Sequence, residues 1–213
     1  MPDNLRNLLI QRAARLQERP ALTSPAWGTL DYSRLRNRVE GVALGLLASE
    51  CPVGMAIFSA TGTPWDWAAE IAAACCGLRW ESPGAIVSPE ILGGVRFNDE
   101  RGRGPYHERE HEVAGSTCFS GEHDHAAMMQ VLRRMNRVLG WDHETVVRFP
   151  PAQIGTREVR AALWCVLYAG SHAILDEVPP PRKGMFRGRD VNPTGFDPAP
   201  FLEFWTLPWA PPE

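Results

Sequence analysis

The sequence predicts an α/β fold, a mostly parallel sheet flanked by helices. Apolar residues recur at helical spacing in several separate stretches, with short apolar runs between them. Val53 to Glu81 reads strand, helix, strand, the order of a parallel α/β unit. Composition agrees: of 213 residues, 44% are hydrophobic and 22% charged, ordinary proportions that exclude disorder, collagen and coiled coil. The length suits one large domain, or two small ones sharing a core.

The elements follow in order. Leu5, Leu8, Leu9, Ala13 and Leu16 mark a helix capped by Asp3 and ended by Pro20. Ala21 to Tyr32 reads as two short strands around a turn with Pro25 and Gly28. Ser33 then caps a helix that buries Leu35, Val39, Val42, Leu46 and Leu47. Val53 to Ser59 is an apolar strand. Thr63 caps the next helix, with Pro64 at its first position and Asp66 closing a capping-box-like pair. That helix runs to about Gly77, and Arg79 to Glu81 is another strand. Residues 83–122 are rich in Gly, Pro and charge and read as loop, with one short strand near Val95 to Phe97. The pattern returns at His125, with a helix carrying Met128, Leu132, Met135 and Leu139. A strand over Thr145 to Phe149, a helix from Thr156 and a strand over His172 to Leu175 complete the second block. The rest, 178–213, is a Pro-rich aromatic tail with one amphipathic turn at Phe201, Leu202 and Trp205. The chain thus divides into 1–82, 83–122, 123–177 and 178–213 within one domain.

Several function classes fall away. No apolar run approaches the ~20 residues that span a bilayer, and the N-terminus has no signal-peptide pattern. A net charge of −3 opposes non-specific nucleic-acid binding. Five cysteines, with Cys75 and Cys76 adjacent in an apolar stretch, suit reduced thiols in the cytoplasm.

Three collinear pieces carry a family resemblance. NLLIQRAARLQERPALTS, GTLDYSRLRNRVEGVALGLLASE and GMAIFSATGTPWDWAAEIAAACCGLRW together resemble the opening of the adenylate-forming superfamily, which includes acyl-CoA synthetases, luciferases and peptide-synthetase adenylation domains. Leu30, Tyr32, Leu35, Ile57, Phe58, Pro64 and Trp65 stand at the matching places. HAAMMQVLRRMNRVLGWDHETVVRFPPAQIGTREVRAALWCVLYAGSHAILDE is similar to the stretch that begins at the family's His-bearing helix, and FDPAPFLEFW to a later short segment. The resemblance implies the N-terminal subdomain of that fold. It also implies a Ser/Thr/Gly-rich phosphate loop with a lysine just before the helix, where amides, hydroxyls and a cation would surround a triphosphate.

The sequence departs from that pattern where the chemistry lies. The loop reads AGSTCFSGEHDH: Ser116, Thr117, Ser120 and Gly121 echo it, but Glu122, His123 and Asp124 replace the lysine. Carboxylates beside a phosphate would repel it by several kcal/mol at low effective dielectric. The family's Pro-Leu-x-His site becomes Pro150-Pro151-Ala152-Gln153. The chain ends before counterparts of the adenine-binding and ribose-binding motifs and the C-terminal lid. The expectation is a truncated, catalytically inactive relative with no catalytic residue and no required cofactor. It would bind a small acyl, aromatic or nucleotide-like ligand, ATP, AMP and CoA among those to test, or a protein partner. The ligand would lie against Ser116, Thr117, Ser120, Gly121, Gln153 and Gly155, beyond the strand carboxyl ends. Truncation also implies a face covered by the aromatic tail (Phe201, Phe204, Trp205, Trp209), by a second copy in a homodimer, or by another chain.

Other features have competing readings. His107-Glu108-Arg109-Glu110-His111 matches H-E-x-x-H, the spacing by which two His hold zinc while Glu activates water. Its charged, Gly-rich setting favours a solvated loop, and a zinc hydrolase is the alternative, with His123 or His125 as a third ligand. Half of a split acyl-adenylating ligase, completed by another chain, is a third reading. Cys118 has no His and Asn partners and has acids beside it, against a catalytic thiol. Trp65, Trp67, Trp80 and Trp164 read as core or interface, and Arg182, Lys183, Arg187 and Arg189 as a solvated basic loop.

Overall fold

The computed structural model describes residues 4–59, 61–81, 84–86, 113, 115–119, 123–150, 154–176, 189–191 and 196–204. Helix α1 (Leu5–Leu16) is capped by Asn4, one residue later than expected, whose side chain accepts from the Asn7 N–H at 2.8 Å. Strands β1 (Pro20–Ser24) and β2 (Gly28–Asp31) form an antiparallel hairpin. Helix α2 (Tyr32–Ala48) is capped by Asp31, two residues before Ser33, because the Asp31 carboxylate accepts from the Arg34 N–H at 2.7 Å. Strand β3 (Ala56–Phe58) occupies the middle of the expected 53–59 run.

Helix α3 (Pro64–Cys75) is capped by Thr63 with Pro64 at its first turn, as the sequence predicts. Asp66 does more than close a capping box. Its carboxylate accepts from Ser59 Oγ (2.7 Å), the Thr61 N–H (2.9 Å), Thr61 Oγ1 (2.8 Å) and the Gly62 N–H (2.8 Å). One buried side chain therefore holds Ser59, Thr61 and Gly62, three residues between β3 and α3.

Strands β4 (Arg79–Trp80) and β5 (Ala85–Ile86) flank β3 in a three-stranded parallel sheet of order β4-β3-β5. β5 falls in the stretch read as loop. The strand expected near Val95 to Phe97 lies outside the described residues. Helix α4 (His125–Leu139), strand β6 (Thr145–Phe149), helix α5 (Arg157–Ala169) and strand β7 (His172–Leu175) appear where the apolar periods place them. Both helices end on a left-handed glycine, Gly140 and Gly170, where a side chain would strain the backbone. Strand β8 (Arg189–Val191) lies inside the Pro/Gly/Arg-rich segment read as loop, and Ala199–Phe204 form a 3₁₀ turn.

The larger sheet has the order β2-β1-β7-β6-β8, and all its pairings but β1–β2 are parallel. Burial alternates along its strands. Leu22, Leu30, Val147, Phe149, Ala173 and Leu175 are buried, whereas Thr23, Arg148, His172 and Ile174 are half-buried. Helices α2 and α5 touch the larger sheet, α3 touches the smaller one, and α1 packs among all three.

A buried ion pair joins α3 to α5. Arg160 Nε donates to Glu70 Oε2 at 2.5 Å, and its Nη2 reaches the same carboxylate and the Asp66 carbonyl. Trp164 Nε1 donates to Glu70 Oε1 at 3.0 Å, and the guanidinium lies over the Trp80 ring. Both charged side chains are 0% exposed, so each depends on the other for its lost hydration. Replacing Arg160 with Met should therefore cost about 3–5 kcal/mol in urea unfolding, because Glu70 stays buried without its cation. The double variant Glu70→Leu with Arg160→Met should recover most of that loss. Equal losses in both would show that packing, not the stranded charge, dominates.

Candidate functional site

The phosphate-loop-like segment is wired into the smaller sheet. Trp80 and Phe119 form a parallel bridge, and the Cys118 carbonyl accepts from the Trp80 N–H at 2.9 Å. The chain then folds back, bridging Thr117 to Asp124. The Cys118 and Phe119 N–H groups both donate to the His123 carbonyl, at 3.0 and 3.2 Å. At the end of this reversal the Asp124 carboxylate caps α4, accepting from the Ala127 N–H at 2.8 Å. A helix N-terminus attracts anions, and here the protein's own carboxylate takes that place.

The expected ligand residues are distributed as follows. Ser116 Oγ donates to the Val113 carbonyl at 2.9 Å and lies 3.0 Å from where a Cβ on Gly77 would stand. Its hydroxyl thus holds the turn against the end of α3. Thr117 is half-buried in the bridge to Asp124. Gly155 is half-buried in the β6–α5 connection, next to the α5 cap Thr156. Ser120, Gly121 and Gln153 lie outside the described residues, as do His107, Glu108 and His111 of the zinc reading, along with Arg182, Lys183, Arg187, Trp205 and Trp209. Among the described residues no group of three or more His, Cys, Asp or Glu is placed to hold a metal.

Cys118 is buried, and desolvation, Asp124 and Cys75 push its thiol up, away from a nucleophilic thiolate. Phe201 and Phe204 of the tail are buried. Phe204 stacks on His123 with centroids 4.4 Å apart and meets Phe119 edge-on at 5.6 Å.

Sequence reasoning missed a second locus, an apolar crevice of about 130 Å³. Its walls are Ser24, Pro25 and Ala26 at the end of β1, Gly62, Thr63 and Pro64 at the start of α3, Ile154 after β6, and Leu175 at the end of β7. β1 and β7 are adjacent and parallel. Open parallel sheets bind ligands outside the strand carboxyl ends. Of the expected ligand residues, Gln153 and Gly155 are the sequence neighbours of a residue of this crevice, Ile154. The only signal that could have found the crevice was the strand order, which no local motif encodes.

No family model matches the sequence, and no curated protein does. Solved structures do. The N-terminal subdomain of Klebsiella oxytoca NpsA, in complex with 3-hydroxybenzoyl-AMSN, matches with a TM-score of 0.60 at 11% identity, over 84% of this chain and 55% of that one. The N-terminal domain of FACL13 from Mycobacterium tuberculosis gives 0.57 at 12% identity, over 84% and 58%. o-Succinylbenzoate CoA synthetase from Bacillus subtilis, with its acyl-adenylate intermediate, gives 0.53 at 14% identity, over 82% and 56%. The fold is that of the adenylate-forming enzymes. More narrowly, it matches their N-terminal subdomain. This chain spans between 55% and 58% of the length of these three structures. No described helix is long and apolar enough to cross a membrane.

His125, the first residue of α4, is 1% exposed, and its Nδ1 accepts from the Leu5 N–H at 3.3 Å. It thereby caps α1 from a distant part of the chain. Burial lowers its pKa to about 4, partly opposed by Asp124. His172 is also lowered to about 4 by burial and by Arg148, and its Nε2 bonds Thr23 Oγ1 at 2.8 Å. Between pH ~6.5 and 4 the unfolded chain therefore takes up protons that the native one refuses. Stability should be intact above that window and fall as pH drops through it, by on the order of 3 kcal/mol from His125 and less from the more accessible His172. In urea midpoints measured from pH 8 to 4, His125→Gln should be less stable at pH 8 and show a shallower acid decline. An unchanged slope would remove His125 from this role.

Proposed function

We propose that this chain is a non-catalytic relative of the adenylate-forming enzymes, which binds a small molecule and does not activate a carboxylic acid. One observation carries the reading: Asp124 caps α4 with its own carboxylate where the resemblance would bring a triphosphate. No Lys or Arg stands in residues 114–125 to offset that charge. The amides of Cys118 and Phe119 are spent on the His123 carbonyl. Transition-state stabilisation in phosphate chemistry comes from donors and cations aimed at developing charge, and these donors are already engaged. A partner chain that completes an active enzyme is the competing reading.

Purified full chain incubated with MgATP and a panel of aryl and fatty acids should show no ATP–pyrophosphate exchange above a no-protein control. Exchange by the chain alone would overturn the proposal. Exchange that appears only with a co-purifying native partner would move it to the split-enzyme reading.

A further inference from the structure

We infer that the crevice between the carboxyl ends of β1 and β7 takes a compact, uncharged apolar guest about the size of a six-membered ring. The inference rests on the ligand-binding reading above and specifies the ligand's chemistry.

Size is the first argument. A volume of about 130 Å³ is close to that of an engineered apolar cavity (~150 Å³) that binds benzene.

The state of the polar groups in the walls is the second. Ser24 Oγ accepts from the Trp27 N–H at 3.1 Å. Thr63 Oγ1 accepts from the Trp65 N–H at 3.3 Å and bonds Thr61 Oγ1 at 2.6 Å. The Gly62 N–H donates to Asp66 at 2.8 Å, and Pro25 and Pro64 have no N–H to offer. Among the described residues, none that lines the crevice is charged. A carboxylate entering it would lose its water with no cation among the described walls to replace it, whereas a hydrocarbon group gains by leaving water.

The third argument is that the walls are held in place. Trp27 directly follows the wall residue Ala26, and Trp65 follows Pro64. The two rings meet edge to face with centroids 4.8 Å apart. The Arg38 guanidinium lies 4.6 Å from one ring and 5.2 Å from the other, tying α2 to the same contact. Asp66 holds Thr61 and Gly62, the two residues before Thr63. The two turns that form the mouth are thus clamped together without a guest, and a preformed site binds with less ordering cost.

The test uses the full chain labelled at Ile and Leu methyls, titrated separately with benzene, benzoate, AMP and MgATP. The expected result is a saturable benzene shift at Ile154 and Leu175, with benzoate and the nucleotides leaving those methyls unmoved. Ala26 is exposed at the mouth, so Ala26→Trp should fill the crevice, keep the remaining methyl spectrum and abolish the benzene shift. Ala26→Leu, a smaller plug, should weaken it. Unmoved Ile154 and Leu175 methyls in benzene, or equal shifts in wild type and both variants, would overturn the inference. Benzoate or a nucleotide shifting these methyls as strongly would overturn the uncharged class while sparing the ligand-binding reading. Silence in every arm would count against both.

Discussion

The Asp124 carboxylate is the constraint on which the surrounding structure turns. By capping α4 it fixes where that helix begins, and so places His125 one residue later. His125 in turn receives the Leu5 N–H and anchors the start of α1. In the other direction, Asp124 pairs back to Thr117, and the reversal between them presents Cys118 and Phe119 to Trp80 in the smaller sheet. A charged acceptor at a helix N-terminus is stabilising. The same charge makes the spot unwelcoming to a second anion.

The helical layer is secured by a different device. Glu70 and Arg160 are 90 residues apart and fully buried, and their geometry leaves few groups unsatisfied: the carboxylate also accepts from Trp164, and the guanidinium also donates to the Asp66 carbonyl. Such a pair is weak evidence for net stability, yet breaking it on one side is expensive. It joins the inward face of α5 to α3. Aromatic contacts extend from the same place: Trp164 meets Phe119, Phe119 meets Phe204, and Phe204 meets Phe201. Through them the C-terminal 3₁₀ turn is drawn into the core beside the loop that Asp124 closes.

Much of this fold could be read from local sequence. Thr63-Pro64 and Thr156 announce α3 and α5 because caps act within one turn. The α2 cap was misplaced because Ser33 and Asp31 are both good acceptors, and only geometry decides that Asp31 reaches the Arg34 N–H. Strands β5 and β8 were missed for another reason. Each is two or three residues long and gains its identity from a neighbour, β3 or β6, far away in sequence. The buried Glu70 and Arg160 gave no local sign, since either residue alone reads as solvated. The loop residues Ser116 and Thr117 were legible as chemistry but not as structure: Ser116 serves the turn, and Thr117 sits in the Asp124 bridge. The crevice needs four chain segments to meet, so the strand order had to be known first.

The central claim is that a carboxylate of the protein itself holds the position a nucleotide phosphate would need. Calorimetric titration of MgATP into the full chain tests this most directly, with Asp124→Asn in parallel. The account predicts no saturable heat for the wild type at millimolar nucleotide, and any gain of affinity only in the variant that keeps the cap but sheds the charge. Wild-type saturation below about 1 mM, roughly 4 kcal/mol of binding, with no improvement in Asp124→Asn, would contradict it.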